Sequence, residues 1–245
     1  MWKDIIYSFL FILFVTQSAV ASADNVIVVT ENYPPYNYKQ NDQLLGLSTD
    51  VIRKVMDASG LEYEIRLYPW ARAYTMALTQ DNVLIYTIMR TKERESLFHW
   101  IVFLGKSEFY LMGRSDKNYE SSIPELITKK YKAVCVINDA SCEWLREAGF
   151  PNDLIHEVPD NIESSEIKMI LNGRVDFFVA DPVYLNYRLQ QIGIPEKRFK
   201  KISKIHEGRY YLAAGKQLKQ NVLERIQEAR DSLNAGGLQM IILHK

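Results

Sequence analysis

The chain predicts an α/β protein with mostly parallel sheets, built as two successive units. Three observations carry that expectation. Short, nearly continuous apolar runs at 25–30, 83–86, 133–137 and 175–180 read as strands buried on both faces. Segments with helical apolar spacing separate them, giving the strand–helix–strand rhythm of a sheet with helical crossovers. The polar, turn-like stretch 115–121 then interrupts the rhythm, which restarts after it. A length of 245 residues suits one large domain or two lobes.

Composition narrows the function. Hydrophobic residues make up 47% and charged residues 24%, ordinary for a soluble globular protein, and the formal net charge is zero. Nothing in that balance recommends nucleic acid or an anionic membrane as a partner. With four histidines in all and no ligand-spaced cluster, no metal site is expected, and no glycine-rich phosphate loop or Ser-His-Asp grouping can be placed. Residues 1–23 read as an export signal, with an apolar core from Ile5 to Val15 and a small-x-small cleavage pattern at Ala21-Ser22-Ala23. That core is shorter than the roughly 18 to 20 residues of a spanning helix. Cleavage after Ala23 and a periplasmic location are expected. Cys135 and Cys142 would then meet an oxidising compartment, where a disulfide and two free thiols both remain open.

In chain order, Asn25 to Thr30 forms the first strand. The loop Glu31 to Tyr38 follows, with two prolines and three tyrosines, suited either to a ligand wall or to stiff packing. Asn41-Asp42 is the turn of a short hairpin. Ser48 is placed to cap a helix with Ile52, Val55 and Met56 on one face, ended by Gly60. Leu61 to Leu67 alternates as a strand. Pro69 opens a helix to about Leu78, with Trp70 and Arg72 near its amino end, where free N–H groups could also meet a ligand. Phe98–Leu104 and Glu108–Gly113 read as two extended pieces. In the second unit, Ser122-Ile123-Pro124-Glu125 is a capping-box start and 133–137 a strand. Asn138 to Ser141 leads into a helix stopped by Gly149. Residues 151–161 form a polar connection containing a strand-like 154–158, and a helix runs from about Ser164 to Gly173. Asp181 before Pro182 makes a good helix N-cap. The basic run Lys197 to Lys204 reads as a solvated edge. Tyr210 to Ala214 is a strand suited to re-enter the first unit, and Leu218 to Leu233 marks one face of a long last helix.

The stretch Leu84 to Arg94 passes from an apolar strand into a polar cluster, as when a strand delivers side chains to a cleft at its carboxyl edge. Arg94 suits a bidentate grip on a carboxylate, or else a surface pair with Glu93 or Glu95.

Taken together, the loop Tyr33-Pro34-Pro35-Tyr36, the arm Gly46-Leu47-Ser48-Thr49-Asp50, Pro69-Trp70, Thr91-Lys92-Glu93-Arg94, and Gly173-Arg174-Val175-Asp176 running to Asp181 resemble the family 3 periplasmic solute-binding proteins, which are type II binding proteins serving polar amino-acid import. The resemblance covers essentially the whole mature chain. It implies a two-lobed clamshell with lobe 1 at 24–110 and 206–245 and lobe 2 at 111–205. It also implies a monomer without cofactor that takes a small carboxylated solute, such as a polar amino acid, and delivers it to the membrane subunits of an ABC importer. By position, Tyr33 and Trp70 would be aromatic walls and Arg94 the clamp on the α-carboxylate. Backbone donors near Ala140 and Ser141 would meet the same carboxylate, and Asp181 would pair with the α-ammonium.

The chain departs from the family pattern around the clamp. Met89 stands where many members carry a small hydroxyl residue, Thr87 keeps hydroxyl chemistry, and Arg72 and Arg90 are extra cations expected toward or near the cleft. Two other functions share the fold: a periplasmic dehydratase-like enzyme, for which Glu31 and His99 are the acid–base residues nearest the cleft, and an extracytoplasmic sensor or partner-binding module.

Overall fold

Two 17-residue antiparallel strands, β6 (Phe98–Arg114) and β10 (Phe199–Gly215), form the spine of the molecule. The computed structural model describes residues 25–120, 122–160 and 164–236. The expected export signal at 1–23 lies outside them. The spine joins two parallel groups into one eight-stranded sheet of order β4-β1-β5-β10-β6-β9-β7-β8. In the first group β1 (Val26–Thr30) lies between β4 (Tyr63–Leu67) and β5 (Val83–Met89), parallel to both. In the second, β7 (Ala133–Val136) lies between β8 (Ile155–Val158) and β9 (Phe177–Ala180), again parallel to both. Two parallel groups joined by one long antiparallel pair are the two-unit α/β arrangement that the sequence predicts.

Each group is covered by helices. On one face of the first, α1 (Leu47–Ser59) and α7 (Gln220–Ala235) bury Ile52, Val55, Met56, Val222 and Ile226 against Val28, Leu84 and Leu212. On the other face α2 (Trp70–Thr79) packs Trp70, Ala73 and Ala77 onto Val29, Ile85 and Ala213. The second group is covered by α3 (Ile123–Thr128), α4 (Ala140–Glu147), α5 (Ser165–Leu171) and α6 (Pro182–Gln191). Helices this short are not stable alone in water. Ile167 and Ile170 of α5, fully buried beside Val134 and Phe178, hold it in place. Burying one such side chain contributes about 1.5–3 kcal/mol.

The structure corrects the sequence reading at several elements. The two extended pieces expected at 98–104 and 108–113 are one strand, because β10 pairs along the whole length of β6, bulges included. The basic run at 197–204 keeps Lys197, Arg198, Lys201 and Lys204 exposed, as a solvated edge does, and from Phe199 onward it belongs to β10, with Lys200, Lys201 and Lys204 on the ladder opposite Gly113, Met112 and Tyr110. Helix α1 begins at Leu47, and its first N–H groups are capped by backbone, not by the Ser48 side chain: Leu47 and Ser48 donate to the Pro35 and Tyr36 carbonyls at 3.1 and 2.9 Å. Gly46 makes that approach feasible, since it has φ 132° and a Cβ there would lie 2.2 Å from the Tyr36 oxygen. The hairpin of β2 (Tyr38–Gln40) and β3 (Gln43–Leu45) turns at Asn41 and Asp42, both with positive φ. Ser122 accepts from the Glu125 N–H as the capping-box spacing predicts. Cys135 on β7 and Cys142 on α4 form a disulfide across a Cα separation of 5.4 Å.

Candidate functional site

A cavity of about 290 Å³ lies between the two parallel groups, at the carboxyl edges of their strands. The first group contributes Glu31, Tyr33, Tyr68, Trp70, Thr87 and Arg94; the second contributes Asp139, Ser141, Asp160, Ser164, Glu166, Tyr184 and Arg188; Phe109 and Tyr210 of the spine close the back. Bonds crossing the gap hold the walls together. The Trp70 N–H donates to Asp160 Oδ2 at 3.1 Å and its indole Nε1 to the Asn138 carbonyl at 2.8 Å. Arg188 Nη2 donates to the Asn32 carbonyl at 2.8 Å.

Arg94 is 1% exposed, so the surface-pair reading with Glu93 or Glu95 does not describe it. Its Nη1 donates to the Met89 carbonyl at 3.2 Å, its Nη2 to Asn138 at 2.7 Å, and its Nε lies 3.4 Å from Glu143. The guanidinium also sits over the rings of Trp70 and Tyr74, at 5.3 and 5.2 Å. The group is thus held rigid from the protein side, and it lines the cavity.

Thr87 also lines the cavity, through a break in the ladder. Pairing steps from Tyr211 with Ile88 to Leu212 with Tyr86, leaving Thr87 as a bulge with φ 59°. A β-branched residue in the left-handed region is strained, of order 1–3 kcal/mol. Its Oγ1 is buried without a hydrogen-bond partner, as is Ser164 Oγ on the opposite wall. Buried hydroxyls are normally paired, so both are available to a bound molecule.

Asp181 occupies a different place. It is fully buried and is not part of the cavity wall. Tyr33 Oη donates to its Oδ2 at 2.6 Å, Tyr36 Oη to its Oδ1 at 3.1 Å and Tyr210 Oη to its Oδ2 at 3.4 Å, while the Tyr184 N–H completes the N-cap at 2.9 Å. Burial pushes the Asp181 carboxyl above the ordinary range, with the tyrosine and N–H donors pulling it back. Burial and the adjacent carboxyl hold the Tyr33 and Tyr36 phenols up as well.

Of the remaining expected residues, the structure brings Tyr33, Trp70 and Ser141 to the wall. Tyr33 stacks one face on Tyr184 at 4.3 Å. Ser141 carries a backbone N–H already taken by the Asp139 carboxylate at 2.9 Å, and the Ala140 side chain is buried behind the wall. Arg72 is not on the wall; it is exposed, with its guanidinium 4.1 Å from the Tyr68 ring centre. Arg90, expected near the cleft, faces away and pairs with Glu95 at 2.5 Å. Glu31 lines the cavity, whereas His99 does not.

Sequence reading missed Asp160, Ser164 and Glu166, which fall in a stretch read as a polar connection and the start of a helix. It also missed Tyr184 and Arg188. Those two follow Asp181 by three and seven residues, one face of α6, and that spacing was the available signal.

A family model of the bacterial extracellular solute-binding proteins, family 3, matches residues 26–237. The chain belongs to that family. No curated protein sequence matches it. Among solved structures, this family 3 protein is similar to the arginine-, lysine-, histidine-binding protein ArtJ of Geobacillus stearothermophilus, with TM-score 0.72, 18% identity, and 87% and 90% of the two chains covered. It is similar to a histidine kinase sensor domain, with TM-score 0.73, 19% identity, and 86% and 91% covered. The GluR0 ligand-binding core of Nostoc punctiforme, in complex with L-glutamate, matches with TM-score 0.69, 21% identity, and 86% and 94% covered. At these identities the likeness shows the fold. The family is one of extracellular solute-binding proteins. Among the described residues no helix is long and apolar enough to cross a membrane.

Proposed function

We propose that this family 3 protein captures one small carboxylate-bearing solute of amino-acid type between its lobes, 24–110 with 206–245 and 111–205. In this reading it is exported, cleaved after Ala23, and works as a periplasmic monomer that delivers the solute to the membrane subunits of an ABC importer. The cavity between the two groups, with Arg94 at its wall, is the observation that carries the reading. Its volume suits a single small solute. Arg94 grips the carboxylate with N–H groups it does not spend on Met89 and Asn138, Trp70 and Tyr33 flank the solute, and Thr87 Oγ1 supplies a further polar contact. The amino acids named for ArtJ and for the GluR0 core belong to that ligand class.

The test is mass spectrometry of whatever is released from protein purified natively, followed by a thermal-shift screen of amino acids and other small carboxylic acids. Recovery of an amino acid that raises the melting temperature is the expected result. A cavity that takes only solutes without a carboxylate overturns the reading. A second reading, an extracytoplasmic sensor, draws on the similarity to the histidine kinase sensor domain. Co-purification with a receptor kinase instead of importer subunits would select it.

A further inference from the structure

A formal net charge of zero is a total over a surface that is not neutral everywhere. Residues 111–205 carry equal numbers of basic and acidic residues, yet the two signs are unevenly placed along the strands. Asp139, Asp160 and Glu166 line the cavity at the carboxyl edge, and Glu143 lies beside Arg94. Cations gather instead at the opposite, amino edge, where β7, β9 and β10 begin and β6 ends. Phe177 pairs with both Gly113 and Ala133, and Phe199 with Arg114, so the residues flanking these positions form one row across four adjacent strands.

Lys129, Lys130 and Lys132 lead into β7, and Arg174 leads into β9. Lys197, Arg198 and Lys200 lie at the start of β10, while Arg114 ends β6 and Lys117 follows it. All but Arg114 and Lys200 are exposed. Three acids of this edge are each taken by one cation: Asp116 by Arg114, Asp176 by Lys117 at 3.6 Å, and Glu120 by Lys129 at 3.8 Å. Glu125 is engaged by the Ser122 hydroxyl, Glu196 by the Asn186 side chain, and Asp153 precedes β8 at the margin of the sheet. Among the described residues Lys130, Lys132, Arg174, Lys197 and Arg198 make no ion pair. Neighbouring strands lie about 4.8 Å apart, less than the roughly 8 Å Debye length at physiological salt, so the fields of these side chains add.

We propose that this basic edge adsorbs the protein reversibly to an anionic lipid surface, its Lys and Arg side chains meeting phosphate-bearing headgroups. Two observations besides the charge select that partner. The exposed large hydrophobic residues among those described are Leu47, Leu97, Phe103, Ile137 and Val183, and none lies at this edge. A stable protein interface centres on buried aromatic and apolar anchors, whereas a charged bilayer attracts clustered Lys and Arg without them. Nucleic acid would answer the same charge, but the family is extracellular, where a membrane leaflet is the extended anion such a protein meets. Because the edge is at the other end of the strands from the cavity, an adsorbed molecule keeps its cavity off the bilayer. The proposal is independent of which solute the cavity takes.

The experiment is co-sedimentation of natively purified protein with vesicles of phosphatidylcholine alone, or of phosphatidylcholine containing about 40 mol% phosphatidylglycerol, a fraction that gives a strongly anionic surface. At 50 mM NaCl at least tenfold more protein is expected on the anionic vesicles, and 500 mM NaCl is expected to release it. Binding is expected to fall at least fivefold in Lys132→Glu/Arg174→Glu/Arg198→Glu, with thermal melting checking that the fold persists. A second triple variant, Lys54→Glu/Arg209→Glu/Lys216→Glu, changes net charge equally at exposed residues of other surfaces and is expected to keep most of the binding. Equal binding to both vesicle types, or none to the anionic vesicles at 50 mM NaCl, overturns the proposal. So does an equal loss in the two triple variants, or no loss in the first. Retention on immobilised poly-L-glutamate without binding to anionic vesicles assigns the edge to an acidic protein and overturns the lipid proposal as well.

Discussion

Arg94 and Asp181 are both buried charges that link the two halves of the sheet, and the sequence marks both for the ligand. Their surroundings differ. Arg94 meets two carbonyls, a carboxylate and two aromatic faces, yet still forms part of the cavity wall. Asp181 has its acceptor sites occupied by three phenols and a backbone N–H, and the cavity does not reach it. A buried charge with hydrogen-bonding capacity left on its cavity side can exchange partners with a solute. One whose capacity is spent inside the protein instead ties together the segments that donate to it. Here those segments are the 33–36 loop, the spine strand β10 and the start of α6.

The comparison can be broken most sharply at Arg94. Arg94→Ala is expected to weaken solute binding by on the order of 2 to 5 kcal/mol, roughly 30-fold to several thousand-fold. Arg94 is buried, and Glu143 and two carbonyls lose their partner, so ligand-free stability should fall as well. Calorimetry alongside urea unfolding separates the two effects, and unchanged affinity would remove Arg94 from the site.

Asp181→Ala is expected to act mainly on folding, by about 3 kcal/mol, since it strands three buried phenols. Affinity per folded molecule should change far less than in Arg94→Ala. A variant that folds normally and fails to bind would return Asp181 to the ligand. Tyr36→Phe removes one donor to Asp181 and should cost about 1 kcal/mol of stability. It should leave solute affinity unaltered in the same titration, because Tyr36 is not part of the cavity wall.

Acid pH sharpens the same contrast. With its folded-state pKa raised, Asp181 contributes stability that is complete below the unfolded carboxylate range and is lost as pH rises through the raised value. The melting advantage of wild type over Asp181→Asn is therefore expected to grow from pH 7.5 to pH 5. Taking the difference between the two proteins cancels His99 and His206, which burial holds below the ordinary histidine value and which act in the opposite direction. An advantage that shrinks on acidification would contradict the buried environment of Asp181.

Much of the fold could be read from local pattern. Apolar runs such as Val26–Val29 and Val83–Tyr86, the Asn41-Asp42 turn, the Ser122 capping box and the Asp181-Pro182 helix start each depend on a few adjacent residues, and each is where the sequence places it. Tyr33, Trp70, Thr87 and Arg94 were equally visible, as side chains at strand ends and a helix start. What only the tertiary structure decided depends on residues far apart in the chain. The pairing of β6 with β10 along their whole length turns two apparent fragments and a basic run into one spine. The loop that caps α1 does so through backbone carbonyls, which carry no side-chain signature. Whether an acid faces solute or protein is likewise set at long range: Asp181 is closed off by tyrosines 148, 145 and 29 residues away, while Asp160, in a stretch without motif, is brought to the wall by the N–H of Trp70, 90 residues distant. Local sequence sets which backbone conformation a segment prefers. Burial and partner count, which decide the role of a charged group, are properties of the assembled fold.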